Sequence, residues 1–253
     1  MVLETRDLAI GYASTVIAEG IGFGISGGEL TAIVGVNGIG KSTLLRTLGN
    51  IQPKLSGSIQ IDGKNLEGYP PLQLASKISL VLTEPVASKN LSVLELITLG
   101  RQPYTDWLGR ISQEDKTKIG EALSILQLEP LQHRKCYELS DGQLQRVMVA
   151  RALAQDTAII LLDEPTTHLD LYHKVQILKL LKSIAHDTGK TVIFTSHEIE
   201  MAIQLCDTML LLNEENHAFG QPCELIGQKA FNHLFPSDAV AFDPKTGSFR
   251  IKK

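Results

Sequence analysis

The chain has 253 residues, 43% hydrophobic, 21% charged and 5% aromatic, a balance that excludes a disordered or fibrous polypeptide and is ample for one large domain or two small ones. Lys plus Arg number 24 and Asp plus Glu 28, giving a net charge of −4 and no basic footprint, so no nucleic-acid partner is expected. Cys136, Cys206 and Cys223 are odd in number and widely spaced, which speaks against a disulfide framework or a zinc site, and no apolar run nears the ~20 residues that cross a bilayer.

Glu4, Arg6 and Asp7 stand where a signal peptide needs its apolar stretch, so an intracellular chain is expected. Leu8–Ile10 and Phe23–Ile25 read as short strands, and Gly27-Gly28 turns the chain into Leu30–Val34, a β-branched run typical of a buried strand. Lys41–Leu48 follows as a helix. Turns at Ser56-Gly57-Ser58 and Asp62-Gly63 frame a strand at Ile59–Ile61. Ser92-x-x-Glu95 and Ser112-x-x-Asp115 are capping boxes, and the second leads into Ile119, Ala122, Leu123 and Leu126 at helical spacing, so Leu91–Ala154 reads as mostly helical. Strand signals return at Ala158–Leu162, Thr191–Thr195 and Met209–Leu212, with a helix over Leu171–His186. Val240 and Phe242, a turn at 243–247, then Phe249 and Ile251 read as a closing hairpin that covers a sheet edge.

Gly35-Val36-Asn37-Gly38-Ile39-Gly40-Lys41-Ser42-Thr43 satisfies G-x-x-x-x-G-K-[ST] between the expected buried strand and the expected helix. Glycines let successive N–H groups and the helix N-terminus face a phosphate, Lys41 adds a point charge, and the Ser42 hydroxyl suits Mg2+. A nucleoside triphosphate is the natural guest. Asp163 and Glu164 end the 158–162 strand, where open α/β sheets place their ligand crevice. Asp163 suits the Mg2+ shell and Glu164 suits a base that orients water in line with the γ-phosphate, although Asp-Glu-Pro at a strand end also serves as turn chemistry. Ser140, Gly142 and Gln143 stand at the start of a helix over Gln145–Gln155; alone, Ser140 is simply an N-cap. His197 follows the 191–195 strand and by the same logic reaches the γ-phosphate, unless it is a structural histidine.

The ordered set Gly35–Thr43, Leu139–Gln143, Ile159–Glu164, Leu169-Asp170 and His197 resembles the nucleotide-binding subunit of an ABC transporter over nearly the whole chain. The resemblance implies a P-loop NTPase of α/β class with a small N-terminal antiparallel β region and a helical subdomain at about 85–155, within an ATP-binding domain of 1–238, followed by a 239–253 tail. It implies ATP and Mg2+ as cofactors, Tyr12 stacking on adenine, Asp170 as a dimer contact and Glu164 as the catalytic carboxylate. It also implies a head-to-tail dimer, in which ATP lies between Gly35–Thr43 of one copy and Ser140–Gln143 of the other. Expected partners are a second copy, two transmembrane permease subunits and, indirectly, a substrate-binding protein, with the chain on the cytoplasmic side of the inner membrane.

Three positions depart from the family pattern. Glu84 replaces the usual glutamine that meets Mg2+; a carboxylate still ligates the metal but adds charge near the γ-phosphate. Asp141 replaces a glycine and adds negative charge beside the partner's triphosphate, while Ile39 stands where a smaller residue is commoner. Leu99–Arg110 is similar to the importer branch for iron-siderophores, haem and cobalamin. A soluble ABC ATPase of DNA repair, translation or iron-sulfur assembly, and a non-hydrolysing regulatory module, are the alternative readings.

Overall fold

Strands made almost wholly of apolar or β-branched residues have no face to show to water, and Leu30–Val34, Ile159–Leu162 and Thr191–Ser196 are buried along their whole length. The structure, a computed structural model, describes residues 1–84, 89–214, 216–235 and 238–252. Its first half runs β1 (Leu3–Tyr12), β2 (Thr15–Ile25), β3 (Leu30–Val34), α1 (Lys41–Leu48), β4 (Ser56–Ile61), β5 (Lys64–Asn65), α2 (Pro71–Ala75) and β6 (Ile78–Val81). Next come α3 (Val93–Thr98), α4 (Gln113–Ile125) and α5 (Asp141–Ala154), joined by 3-10 turns at Leu99–Tyr104, Glu129–Leu131 and Cys136–Glu138. The remainder is β7 (Ile159–Leu162), α6 (Leu171–Thr188), β8 (Thr191–Ser196), α7 (Ile199–Leu205), β9 (Thr208–Leu211), β10 (Ala218–Gly220), α8 (Pro222–Gly227), a 3-10 turn at Ala230–His233, β11 (Val240–Asp243) and β12 (Ser248–Ile251).

The central sheet has the order β10-β9-β3-β8-β7-β6, parallel throughout except for β10. Alternate residues of its strands enter opposite cores. Ala32, Ile160, Val192 and Phe194 join the layer with α3 to α6, and Ile33, Ile159, Leu161 and Ile193 join the layer with α1 and the N-terminal strands. That second layer contains an antiparallel sheet of order β2-β1-β4-β5. Because β3, β8, β7 and β6 are adjacent and parallel, the segments after their carboxyl ends emerge side by side.

Several sequence expectations need correction at element level. β1 and β2 are far longer than the two short strands expected, because β1 carries charged outward residues and a bulge, and β2 is interrupted by Gly20, Gly22 and Gly24. Ser56-Gly57-Ser58 is not a turn but the first half of β4. Gly57, at φ +79, lies where a side chain would strike the Asp7 carbonyl, opposite the slip in register between Arg6 and Ala9. The helix expected over Gln145–Gln155 begins at Asp141. The closing hairpin forms, but β11 and β12 pair only with each other; Phe242 stacks on Phe231 and Phe249 meets Phe235, so it covers core side chains instead of a sheet edge. The expected start of the helical subdomain falls on 85–88, and the end of the tail on 253, outside the described residues. Among the described residues no helix is long and apolar enough to cross a membrane.

The helical layer is tied by a buried ion pair. Arg101 Nε lies 2.7 Å from Asp115 Oδ1 with each side chain only 3% exposed, and Arg101 Nη1 also donates to the Ala154 carbonyl at 2.9 Å. Asp115 accepts from the Ser112 amide and hydroxyl at 2.9 and 2.7 Å, so the capping box read from sequence is also the anchor of the pair. Burial pushes the Asp115 pKa up, but the Ser112 hydrogen bonds and Arg101 outweigh it and hold the carboxyl below the usual range. By contrast Trp107, in the same stretch, is 90% exposed. Removing one partner strands the other, so Asp115→Ala is expected to lower unfolding free energy by about 3 kcal/mol in urea denaturation. Since the folded pKa is depressed, the contribution of Asp115 is fully present above about pH 4 and fades as pH falls through the folded value; the gap between wild type and Asp115→Ala should narrow accordingly.

Candidate active site

The strand-end segments of β3, β8, β7 and β6 bring together Gly35–Lys41, His197, Asp163-Glu164 and Thr83-Glu84 respectively. The N-cap of α1 is Gly40, which has φ 104 and provides no side-chain cap, so the first amides of the helix have no side-chain acceptor there. A methyl group on Gly40 would lie 2.7 Å from Ile17 Cγ2, which makes glycine obligatory there for both torsion and space. Gly35 abuts the Leu212 carbonyl equally closely, and Ile39 is a buried member of the core beneath the loop. Asn37, Gly38, Lys41, Ser42 and Thr43 line the resulting cleft, of about 390 Å3.

Lys41 is 5% exposed, and its ammonium places its three protons on the Gly35 carbonyl at 2.9 Å, the Val36 carbonyl at 3.1 Å and His197 Nδ1 at 3.1 Å. Burial lowers its pKa, opposed by the charges of Glu164 and Asp163. An ammonium only donates, so Nδ1 of His197 accepts and the ring proton resides on Nε2, which faces Glu164 Oε1. Glu164 Oε2 accepts from the Thr167 hydroxyl at 3.0 Å. A continuous hydrogen-bonded chain therefore runs from Lys41 through His197 to Glu164, whose own backbone is left-handed at φ 47.

Asp163 is 2% exposed and is surrounded by hydroxyls: Ser42 Oγ at 2.8 Å, Thr195 Oγ1 at 2.7 Å and, more distantly, Thr83 Oγ1 at 3.4 Å. This all-oxygen set suits a hard cation such as Mg2+. Among the described residues no group of three or more His, Cys, Asp or Glu is gathered for metal binding. Glu84, also expected at the metal, lines the same crevice as Asp163, is mostly exposed and pairs with Arg46 Nη2 at 3.3 Å. Thr83, Thr167, Thr195 and Arg46 are the participants that motif matching missed; a threonine at a fully buried strand position, as Thr195 is, was the available signal.

Tyr12 is half exposed at the rim of the cleft, its hydroxyl 3.3 Å from Thr43 Oγ1. The remaining expected residues lie elsewhere. Ser140 caps α5 in a reciprocal box with Gln143, and together with Gly142 these residues line a separate cleft beside His173. Asp170 caps α6 by accepting from the His173 amide at 2.9 Å, a bond that with the His173 ring lowers its pKa. Asp141 fronts a crevice shared with Glu84, Asp163 and Glu164 of its own chain. Within one chain Ser140, Gly142, Gln143 and Asp170 therefore lie apart from the Lys41 cleft.

Residues 18–167 match the family described as ABC transporter. FpuD, the petrobactin import ATP-binding protein of Bacillus anthracis, is 34% identical over 248 residues, 97% of this chain and 91% of its own. FhuC, the iron(3+)-hydroxamate import ATP-binding protein of Bacillus subtilis, is 35% identical over 246 residues, 96% of this chain and 91% of its own. A dimeric ATP-binding cassette solved in a post-hydrolysis state with ADP and Pi is similar with a TM-score of 0.72 at 29% identity, covering 85% of this chain and 97% of that one. From the geometry of the loop, Gly40→Ala is expected to weaken binding of a fluorescent ATP analogue about tenfold or more, with the protein still folded by circular dichroism.

Proposed function

This chain belongs to the ABC transporter family of ATP-binding proteins, and from that premise we propose that it is the ATP-hydrolysing subunit of an importer for iron chelates of the siderophore class. The observation that carries the reading is the chain of hydrogen bonds from buried Lys41 through His197 to Glu164 at the mouth of a glycine loop. Likeness over almost the full length to two import ATP-binding proteins does not favour the soluble repair, translation or iron-sulfur readings. In the proposed reaction water attacks the γ-phosphorus of ATP as its bond to the β–γ bridging oxygen breaks, giving ADP and inorganic phosphate. Lys41 and the α1 amides bind phosphate oxygens, Glu164 accepts a proton from the water, and His197 aligns Glu164 and meets the γ-phosphate. Asp163 and Ser42 would hold Mg2+, with Glu84 of the same cleft edge as a further candidate, and the metal when bound neutralises phosphate charge. Tyr12 stacks on adenine.

In the proposed assembly two copies pair head to tail, so that Ser140, Gly142 and Gln143 of one chain and the loop containing Asn37, Gly38 and Thr43 of the other close on each nucleotide, with Asp170 at the seam. The separation of the two half-sites within one chain supports this arrangement, as does the dimeric state of the cassette solved with ADP and Pi. Residues 1–238 form the ATP-binding unit in this reading and 239–253 an appended tail. Two permease subunits hold the pair at the cytoplasmic face of the membrane, and a substrate-binding protein delivers cargo to them.

Hydrolysis of Mg-ATP measured against protein concentration is expected to rise more than linearly, and Glu164→Gln to bind ATP while losing about a hundredfold or more in turnover. Linear turnover, or wild-type turnover in Glu164→Gln, would count against the dimeric mechanism. Asp141→Gly removes a negative charge from the closing surface and should shift ATP-dependent dimerisation to lower protein concentration by several-fold, as read by analytical ultracentrifugation; no shift would show that Asp141 points away from the bound triphosphate. For the cargo, uptake of a radiolabelled ferric hydroxamate should be lost in cells carrying Lys41→Ala.

A further inference from the structure

Building on the roles proposed for Asp163 and Glu164, we infer that Thr195 is a positioning residue that sets the geometry of one carboxylate relative to the other. The parallel ladder between β7 and β8 ends where Leu162 lies opposite Phe194. Beyond it the chain passes through Asp163 and turns left-handed at Glu164, whose amide has no ladder carbonyl and donates to Thr195 Oγ1 at 2.8 Å. The same hydroxyl donates to Asp163 Oδ1 at 2.7 Å. The directions are fixed, because an amide only donates and a carboxylate only accepts, so one side-chain oxygen acts as an additional rung between the two strands.

Thr195 is fully buried and paired in register with Ile33 of β3, so water does not reach it to replace either bond. β-Branching restricts its χ1, which fixes the position of the oxygen. Two consequences follow for the site. Asp163 Oδ1 is held facing Ser42 Oγ, and the left-handed backbone of Glu164, sparsely populated for a residue with a side chain, is kept in place. That backbone directs the Glu164 carboxylate to His197 and Thr167. Thr195 touches neither the nucleotide cleft nor the water, and it acts through the two acids.

The test compares steady-state Mg-ATP hydrolysis by wild type, Thr195→Val, Thr195→Ser and Glu164→Gln, with nucleotide affinity and melting temperature recorded for each. Valine preserves volume and branching but offers neither bond, and is expected to lower kcat by about tenfold to a hundredfold while KM for ATP changes by less than about threefold. Serine keeps both bonds and should restore kcat to within about threefold of wild type, which a purely volumetric role does not explain. Should valine fail to melt cooperatively, Thr195→Cys, a much weaker donor and acceptor, replaces it with the same expected loss. Wild-type kcat in the valine or cysteine variant, or a serine variant as impaired as valine, overturns the assignment. Wild-type turnover in Glu164→Gln instead overturns the active-site reading, so the two failures are distinguishable.

Discussion

A buried ammonium is tolerated only when its protons find acceptors, and Lys41 satisfies that requirement with two loop carbonyls and one imidazole nitrogen. Much else depends on this constraint. The loop must curl so that the Gly35 and Val36 carbonyls turn inward, which needs glycine where the chain meets Leu212 and Ile17. His197 must present Nδ1 as an acceptor, which commits its remaining proton to Glu164. A phosphate entering the loop competes for protons already placed, so binding and the alignment of Glu164 are physically connected through one side chain.

The scaffold makes such a convergence inexpensive. Four adjacent parallel strands end on the same side; Gly35, Thr83, Asp163, Glu164 and His197 stand within one or two positions of the last rung of their strands, and Lys41 and Ser42 follow at the start of α1. Parallel strands buried on both faces need cover on both sides, and here helices supply one layer while α1 and the antiparallel sheet supply the other. The cost of polar groups at the edge of so apolar a core is met by hydroxyls. Ser42, Thr83 and Thr195 surround Asp163, and Thr167 supports Glu164, so few buried polar atoms go without a partner.

What was legible in the amino-acid sequence follows from how local its cause is. The glycine loop, α1, the capping boxes at Ser92 and Ser112, and the strand ends bearing Asp163 and His197 each rest on a few consecutive residues, and all stand where they were expected. β2 is longer than its sequence signal because its glycines hide a period of two, and Ser56-Gly57-Ser58 resembles a turn because a bulge uses the same residues as one. β6, α7 and α8 are short, and only α8 has a local start signal, Pro222 with the Gln221–Glu224 capping box. At the site, most of the residues that no motif reveals depend on a distant partner, Thr167 beside Glu164 being the local exception. Thr195 meets Asp163 across 32 positions and Arg46 meets Glu84 across 38, distances at which pattern carries no information. The segment around Arg101 is similar to an importer branch, and the buried pair with Asp115 gives the arginine a structural cause as well.

Trp107 has an optical consequence. It is the chain's single tryptophan, and its indole is 90% exposed at the far end of the stretch that leads from Arg101 toward α4. Its fluorescence therefore originates in a water-like environment and reports on that loop alone. Denaturation of the core would change the emission little, because the fluorophore is already hydrated, so spectroscopic unfolding curves must rely on the backbone or on the tyrosines. The same property makes the residue a probe of that surface: a macromolecule that settles over this loop dehydrates the indole and shifts the emission to shorter wavelength.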